Sequence, residues 1–282
     1  MTLPAVEAAQ LMMSVTEGGG AAALAVVVDS IDKNLDGRRL ALIESTPGAE
    51  LKIHGGLGSE ALDEPVRKLM QDALQDPRSH DGLRHIETDA GALELYLEVK
   101  RAVQELIVVG AGHIAQPMAH LGALLGFKVT VLDDRPDFAT RERFPEAEQL
   151  VAADFSNPFA DVLIHSRSHL LLVTRGHKYD YECLIRALKM DPPPAYIGMI
   201  GSRRRVRATY VQLLDEGIGH DLIDRIQAPV GLDIGAETPE EIAVAVAAEL
   251  VMLRRGGTGL PLKDVERVAE RFFSEDTAKG QT

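Results

Sequence analysis

The sequence contains few of the residues that build disulfides or metal centres. Cys183 is the only cysteine among 282 residues, which excludes an intrachain disulfide and a zinc site built on cysteines. The nine histidines are scattered, and no pair of them shows helical ligand spacing with a carboxylate, so we predict no metal site. A chain with a single cysteine suits a reducing compartment, and we expect a cytoplasmic location.

Long apolar runs and excess positive charge are also missing. The longest apolar stretches, such as residues 106–112, fall far short of the roughly 18 residues that span a bilayer. The first ten residues include Glu7 and no basic residue, so no secretion signal is predicted. With 30 Lys and Arg against 43 Asp and Glu, the net charge is −13, which opposes binding to nucleic acid or to anionic membranes. We therefore expect a globular protein that binds neither.

The first hundred residues predict a small α+β domain with an antiparallel sheet. Helical apolar spacing covers 7–18 and 64–76. The turn at 32–37, rich in Asp, Asn and Gly, predicts a hairpin between strands at 23–31 and 38–45. Further strands are predicted from residue 51 and on both sides of 89–91.

Regular alternation of strands and helices begins after residue 100. Apolar strands are predicted at 105–110, 128–133, 149–154, 169–174 and 196–201, with helical segments between them. This pattern predicts a Rossmann-type parallel sheet with helices on both faces, as a second domain over residues 101–273. Residues 274–282 are predicted to form a disordered tail.

A glycine-rich loop follows the first of these strands. Gly110, Gly112 and Ala115 form a G-x-G-x-x-A motif that opens a helix, and Asp133 ends the next strand. Gly110 permits the tight turn, Gly112 lets a phosphate approach the backbone, and Asp133 is placed to accept hydrogen bonds from ribose hydroxyls. The arrangement predicts a nucleotide-type ligand. A glycine turn needed only for packing is the alternative.

A cluster of arginines follows the fifth strand. Ser202 is placed to N-cap the helix that begins at Arg203 and Arg204, so N–H groups, helix dipole and guanidinium groups meet at one corner of the cleft. Because a guanidinium suits bidentate phosphate contact, we predict that a phosphate or another oxyanion binds there. Alternatively, some of these arginines face solvent, Arg204 and Arg207 in particular.

Two histidines and the cysteine are further candidates. His113 and His177 each follow a strand end, where they could transfer a proton or contact a ligand, although a surface histidine bonded to a loop carbonyl fits equally well. His177 is the candidate catalytic residue. We interpret Cys183, in the middle of a predicted helix, as a small semi-buried residue rather than a reactive thiol.

Three longer stretches together resemble one known family. They lie at 105–145, which contains "VVGAGHIA", at 170–206, which contains "TRGH" and "GMIGSRRR", and at 228–256, which contains "GLDIGAETPEE". They look like the C-terminal Rossmann domain of the XdhC/CoxI family, the accessory proteins of xanthine dehydrogenase and related molybdenum hydroxylases.

The resemblance implies a function and a set of site residues. It implies a protein that binds molybdenum cofactor (molybdopterin), assists its sulfuration, and hands it to the apo-enzyme of a xanthine dehydrogenase-type molybdenum hydroxylase, with a cysteine desulfurase as a further partner. Such a protein is a cofactor chaperone rather than an enzyme. The smaller domain would then cover or present the cofactor. The cofactor-binding residues that the resemblance implies are Gly110, Gly112, His113, Asp133, Arg175, Gly176, His177, Gly201, Ser202, Arg203 and Arg204.

The N-terminal region departs from the family pattern. Family members usually carry a cysteine in a glycine-rich loop there, whereas the loop "HGGLGSE" has Leu57 at that place. A role that needs a thiolate from this region is therefore in doubt for this chain.

Two other functions use the same cleft. The motif at Gly110 and the position of Asp133 also fit an NAD(P)-dependent oxidoreductase with His177 as its acid–base residue, or a nucleotide-sensing module. In an oxidoreductase Asp133 would favour NAD over NADP, and the neighbouring Arg135 weakens that preference. A homodimer is a further prediction, because the helix at 242–253 is apolar around most of its circumference and needs cover, from a second copy or from its own chain.

Overall fold

The chain folds into an antiparallel sheet followed by a parallel sheet. The computed structural model describes residues 2–18, 20–45, 49–76, 79–89, 91–101 and 103–267, so the tail predicted at 274–282 lies outside the described residues. The predicted fold class is confirmed, with an α+β region before a Rossmann-type sheet. The boundaries of 1–100 and 101–273 stay a prediction.

The antiparallel sheet has helices on both faces. Its strands are β1 (Ala21–Ser30), β2 (Arg39–Glu44), β3 (Lys52–Gly55), β4 (Gly82–Thr88) and β5 (Gly91–Lys100), in the order β3-β2-β1-β5-β4. The two helices are α1 (Ala5–Gly18) and α2 (Glu60–Gln75). Because side chains alternate along a strand, Ala23 and Ala25 of β1 pack towards α2, while Ala22 and Leu24 pack towards α1. The predicted β1–β2 hairpin is confirmed.

The parallel sheet has six strands, one more than the sequence predicted. They are β6 (Glu105–Val109), β7 (Lys128–Asp133), β8 (Gln149–Ala152), β9 (Ser168–Leu172), β10 (Tyr196–Met199) and β11 (Ile226–Gln227), in the order β8-β7-β6-β9-β10-β11. The added strand, β11, is two residues long and carries no periodic pattern of its own. Its pairing with β10 defines it.

Helices cover both faces of this sheet and separate two cores. They are α3 (Ala115–Leu124), α4 (His177–Ala187), α5 (Arg203–Asp215), α6 (His220–Ile223), α7 (Pro239–Arg255) and α8 (Leu262–Glu266). Helices α3 and α7 pack on Leu106 and Val108 of β6, whereas α4 and α5 pack on Ile107 and Val109. The N-terminus of α7 is fixed by a capping box, in which Thr238 accepts from the Glu241 N–H and the Glu241 side chain accepts from the Thr238 N–H.

The two sheets meet at the amino ends of the parallel strands. Arg167, just before β9, forms an ion pair with Glu44 at the end of β2, and both side chains are largely buried. A separate cavity of about 350 Å³ lies at this contact. The antiparallel sheet therefore contacts the parallel sheet at the edge opposite to the strand carboxyl ends.

None of the helices within the described residues is long and apolar enough to cross a membrane.

Candidate functional site

A cavity of about 290 Å³ opens at the carboxyl ends of β6, β7 and β9. The chain runs from β6 outwards to β7 and β8, then returns to place β9 on the other side of β6. In open α/β sheets this reversal of direction creates a crevice in which ligands bind. Every residue that lines the cavity lies between Gly110 and Tyr179. No residue of the antiparallel sheet is among those that line the cavity, and the Arg167–Glu44 contact with that sheet lies at the opposite edge. That the smaller domain covers or presents a cofactor stays a prediction.

The loop after β6 provides a cradle for an anion. Gly110 has a φ of 105°, and a Cβ there would lie 2.7 Å from the carbonyl oxygen of Val173, so only glycine fits. A Cβ on Gly112 would meet nothing within 4 Å. Within the described residues, the N–H groups of Gly112, His113 and Ile114 donate no hydrogen bond, and α3 starts at the next residue. These free donors lie at the N-terminus of α3, and phosphates commonly bind at helix N-termini.

Asp133 lies at the end of β7 with its carboxylate fully engaged. Oδ1 accepts hydrogen bonds from the Arg135 N–H and Nε at 2.9 and 2.8 Å, and Oδ2 accepts from Ala111 N and Arg135 Nη2 at 2.7 and 2.9 Å. Burial alone would raise the pKa of Asp133, but these four donors outweigh it and lower the pKa to about 2. Asp133 is thus a buried anion that ties Arg135 to the glycine loop.

A second arginine spans the mouth of the cavity. Arg175, after β9, donates through Nη2 to Asp134 Oδ2 at 2.6 Å and to the Tyr179 hydroxyl at 2.7 Å. Its guanidinium carbon lies 4.7 Å from the Tyr179 ring centroid. The loop after β7 and the loop after β9 are therefore joined by one exposed ion pair.

Aromatic rings form the remaining walls. Phe155 and Tyr179 pack edge to face with centroids 4.8 Å apart, and the Arg135 guanidinium lies 3.5 Å from the centroid of Phe138. The cavity thus combines flat apolar surfaces with N–H and guanidinium donors. Sequence reasoning did not select these three aromatic residues, because an aromatic after a strand has no distinguishing pattern until the loops are folded together.

The predicted site residues divide into two groups. Gly110, Gly112, His113, Asp133 and Arg175 line the cavity. The others are not among its lining residues; they begin α4 and α5 at the same sheet edge, and are Gly176, His177, Gly201, Ser202, Arg203 and Arg204. The predicted N-cap is confirmed, since the Ser202 hydroxyl accepts from Arg205 N at 3.3 Å. Arg203, Arg204 and His177 are exposed, and their roles stay predictions.

A buried charge network connects the two groups. Asp180 of α4 is fully buried; its Oδ1 accepts from Thr174 Oγ1 at 2.7 Å and its Oδ2 from Arg205 Nε at 2.6 Å. Arg205 also donates to the Thr174 carbonyl oxygen at 2.9 Å. Burial raises the pKa of Asp180, against the lowering effect of Thr174 and Arg205. Because Thr174 lines the cavity, this network fixes the start of α5 relative to the cavity wall.

A second buried carboxylate holds the segment that leads into α7. Glu249 accepts from the Tyr196 hydroxyl at 2.6 Å and from Gly231 N at 2.9 Å. Gly231 begins the "GLDIG" segment, which belongs to one of the three stretches that resemble the family. Glu249 therefore fixes this segment against the parallel sheet.

The structure offers no thiol or metal cluster at the cleft. Cys183 is fully buried in α4, and burial raises the pKa of its thiol, so the interpretation as a packing residue fits. Across the residues that the structure describes, no group of three or more His, Cys, Asp or Glu side chains is arranged to hold a metal ion.

Comparison with known proteins identifies similar chains. Residues 106–250 match the family described as the XdhC Rossmann domain. The uncharacterized protein YqeB of Escherichia coli K12 is 30% identical over 220 residues, which cover 75% of this chain and 40% of that protein. A probable xanthine dehydrogenase subunit of Bacillus subtilis 168 is 32% identical over 182 residues, which cover 64% of this chain and 52% of that protein. The chain thus spans about half or less of the length of these curated relatives.

One solved structure has the same overall arrangement. A crystal structure of a xanthine dehydrogenase from Bacillus halodurans superposes with a TM-score of 0.51 at 19% identity, covering 88% of this chain and 95% of the other. At this identity the similarity concerns the fold.

Proposed function

This chain belongs to the XdhC family, and from that premise we propose that it is an accessory protein that binds molybdenum cofactor and delivers it to a xanthine dehydrogenase-type molybdenum hydroxylase. The observation that carries the proposal is the cleft at the reversal point of the sheet, within the residues that match the family. The free N–H groups after β6 and the two cleft arginines provide donors for the anionic end of such a cofactor. The aromatic walls provide flat surfaces for its rings.

The residues suit cargo binding better than turnover. His113 is exposed at the rim, and His177 lies outside the cavity lining. The cleft is open on the side away from the smaller domain, so a recipient enzyme could reach it directly. We therefore propose binding and hand-over in the cytoplasm, with no reaction catalysed by this chain.

Sulfuration of the cargo would depend on a separate protein. The thiol of Cys183 is buried and its pKa is raised, and no other cysteine exists in the chain. We propose that a cysteine desulfurase supplies the sulfur while the cleft holds the cofactor.

The predicted homodimer has a candidate surface. Helix α7 buries Val246 and Leu250 against its own chain, but Val244 and Leu253 are each 49% exposed. An apolar groove of about 660 Å³ runs beside α3, α7 and α8. The homodimer stays a proposal.

The test is to express the protein in a host that makes molybdenum cofactor, purify it gently, and measure bound pterin by fluorescence after oxidation and molybdenum by metal analysis. Gly112→Ala should lose most of the pterin, because the new methyl group occupies the space where a phosphate approaches the backbone. Gly257→Ala, at the far end of α7 in ordinary van der Waals surroundings, should retain it.

Absence of pterin from the parent, with NAD or another nucleotide released on denaturation, would overturn the proposal. It would favour an NAD(P)-dependent oxidoreductase or a nucleotide sensor instead.

A further inference from the structure

The carboxylate at the end of β7 has no acceptor position left for a ribose. A carboxylate offers about four lone-pair positions, and four donors from Ala111 and Arg135 already occupy those of Asp133. In dinucleotide-binding folds the acidic residue at this place accepts from ribose hydroxyls. Asp133 can do so here only after Arg135 leaves it.

Arg135 places a positively charged guanidinium where the fold would otherwise offer a carboxylate acceptor. Its guanidinium is fixed between Asp133 and the ring of Phe138, and within the described residues its Nη1 makes no hydrogen bond. The hydrogen bond to Asp133 raises the pKa of Arg135, and the nearby charge of Arg175 opposes that rise. Two guanidinium groups thus face one cavity close enough to repel each other.

The Nε and Nη1 groups of Arg175 also make no hydrogen bond among the described residues, although its Nη2 is held by Asp134. Asp133 and Asp134 balance the two arginines in charge. An incoming ligand must therefore compete with Asp134 for Arg175, and a dianion does so better than a single carboxylate or a phosphodiester.

We propose that Arg135 and Arg175 together bind a phosphate monoester at the β7 end of the cleft, and that Asp133 positions Arg135 instead of binding a ribose diol. If the phosphate monoester belongs to the pterin of molybdenum cofactor, this proposal deepens the proposed function and rests on it. The same group is carried by a nucleotide with a phosphate on its ribose 2′ oxygen, and the experiment separates these two sources.

The nucleotide arm compares NADP⁺ with NAD⁺ by calorimetric titration of the purified protein, since the two differ only in a phosphate monoester. We expect NADP⁺ to bind at least about tenfold more tightly. Arg135→Gln should weaken NADP⁺ about tenfold or more and strengthen NAD⁺, because Asp133 regains free acceptor positions. If Arg135 only stabilised the fold, Arg135→Gln would weaken the binding of both NADP⁺ and NAD⁺. Arg175→Gln, at a more exposed side chain, should weaken NADP⁺ and leave NAD⁺ unchanged.

The pterin arm measures bound pterin in the parent and in the same variants after expression in a host that makes molybdenum cofactor. Loss of pterin in Arg135→Gln and Arg175→Gln would identify the cofactor as the source of the monoester. Arg207→Gln is the matched control in both arms, because it removes the same charge at an exposed position of α5. Circular dichroism verifies that each variant is folded.

The two arms together distinguish failure of this inference from failure of the proposed function. A preference for NADP⁺ that depends on Arg135 supports the inference with a nucleotide as its source, even if no pterin is bound and the proposed function fails. Pterin in the parent that Arg135→Gln leaves unchanged, together with equal affinity or no affinity for the two dinucleotides, overturns the inference and leaves the proposed function standing. Absence of pterin and of any preference for NADP⁺ overturns both.

Discussion

Removal of the Asp180 carboxylate should destabilise the protein by about 3 kcal/mol, because it leaves Arg205 without its partner. The Asp180 side chain is fully buried and that of Arg205 is 24% exposed. Breaking a buried ion pair by removing one partner costs about 3–5 kcal/mol. Arg205 keeps its bond to Thr174 and some contact with water, so the lower end of that range applies to Asp180→Ala.

Urea unfolding followed by circular dichroism at neutral pH measures this loss. Glu182→Ala is the control on the same helix: its ion pair with Arg186 is about one third exposed on both sides, so its loss should cost less than about 1 kcal/mol. Replacing both buried charges, in Asp180→Leu with Arg205→Met, should recover more than half of the stability, since no charge is left uncompensated. The reasoning is refuted if Asp180→Ala costs no more than the control, or if the double variant is as unstable as the single one.

Three further perturbations test other parts of the structure. Gly110→Ala should lower the unfolding free energy by at least about 2 kcal/mol, because its backbone would be strained and its Cβ would clash with a carbonyl oxygen. Gly112→Ala, whose Cβ meets nothing within 4 Å, should leave the melting temperature unchanged. Similar losses of stability in both variants would contradict this difference. Glu249→Ala leaves the buried Tyr196 hydroxyl without its acceptor and should cost about 2–3 kcal/mol in urea unfolding, with partial recovery in Glu249→Gln; an unchanged midpoint would contradict it. The pKa of Asp133 is about 2 in the folded protein and near 4 for an ordinary aspartate, so its ionised form stabilises the fold by about 2 kcal/mol above pH 4. This stabilisation is lost as the pH falls from about 4 to 2. Asp133→Asn should remove that part of the pH dependence of the unfolding free energy.

The sequence pattern was sufficient for the strands but not for their order. Apolar runs bounded by glycine and polar residues predicted β6, β7, β8, β9 and β10, because a strand buried on both faces has a local signature. Strand order is a long-range property with no such signature. The strand ends predicted one common edge, and the parallel pairing confirms it. The pattern did not predict that Ser202 follows β10, which lies one strand further from β6 than β9 does. This separation, set by strand order alone, explains why Arg203 and Arg204 do not line the cavity.

The role of Asp133 shows a second limit of the sequence. The alternation of strands and helices predicted that Asp133 ends β7. Its place after the glycine loop then predicted that it accepts from a ribose. The competing donor is Arg135, only two residues further on, and the loop conformation that turns the guanidinium back onto the carboxylate is not encoded in any residue spacing. A short-range ion pair thus occupies the carboxylate that the sequence predicted as a ribose acceptor.

Leu57 occupies the place in the first hundred residues where the resemblance implies a cysteine. Where the family resemblance leads us to expect a cysteine, this leucine is fully buried and packs in the core between β2, β5 and α2. Its N–H donates to Asp63 Oδ1 at 2.6 Å and its carbonyl oxygen accepts from Arg38 Nη1 at 2.8 Å, so both backbone groups are fixed as well. Burial and an apolar setting would raise the pKa of any thiol placed there and keep it protonated. The loop that carries Leu57 therefore stabilises the antiparallel-sheet region by packing.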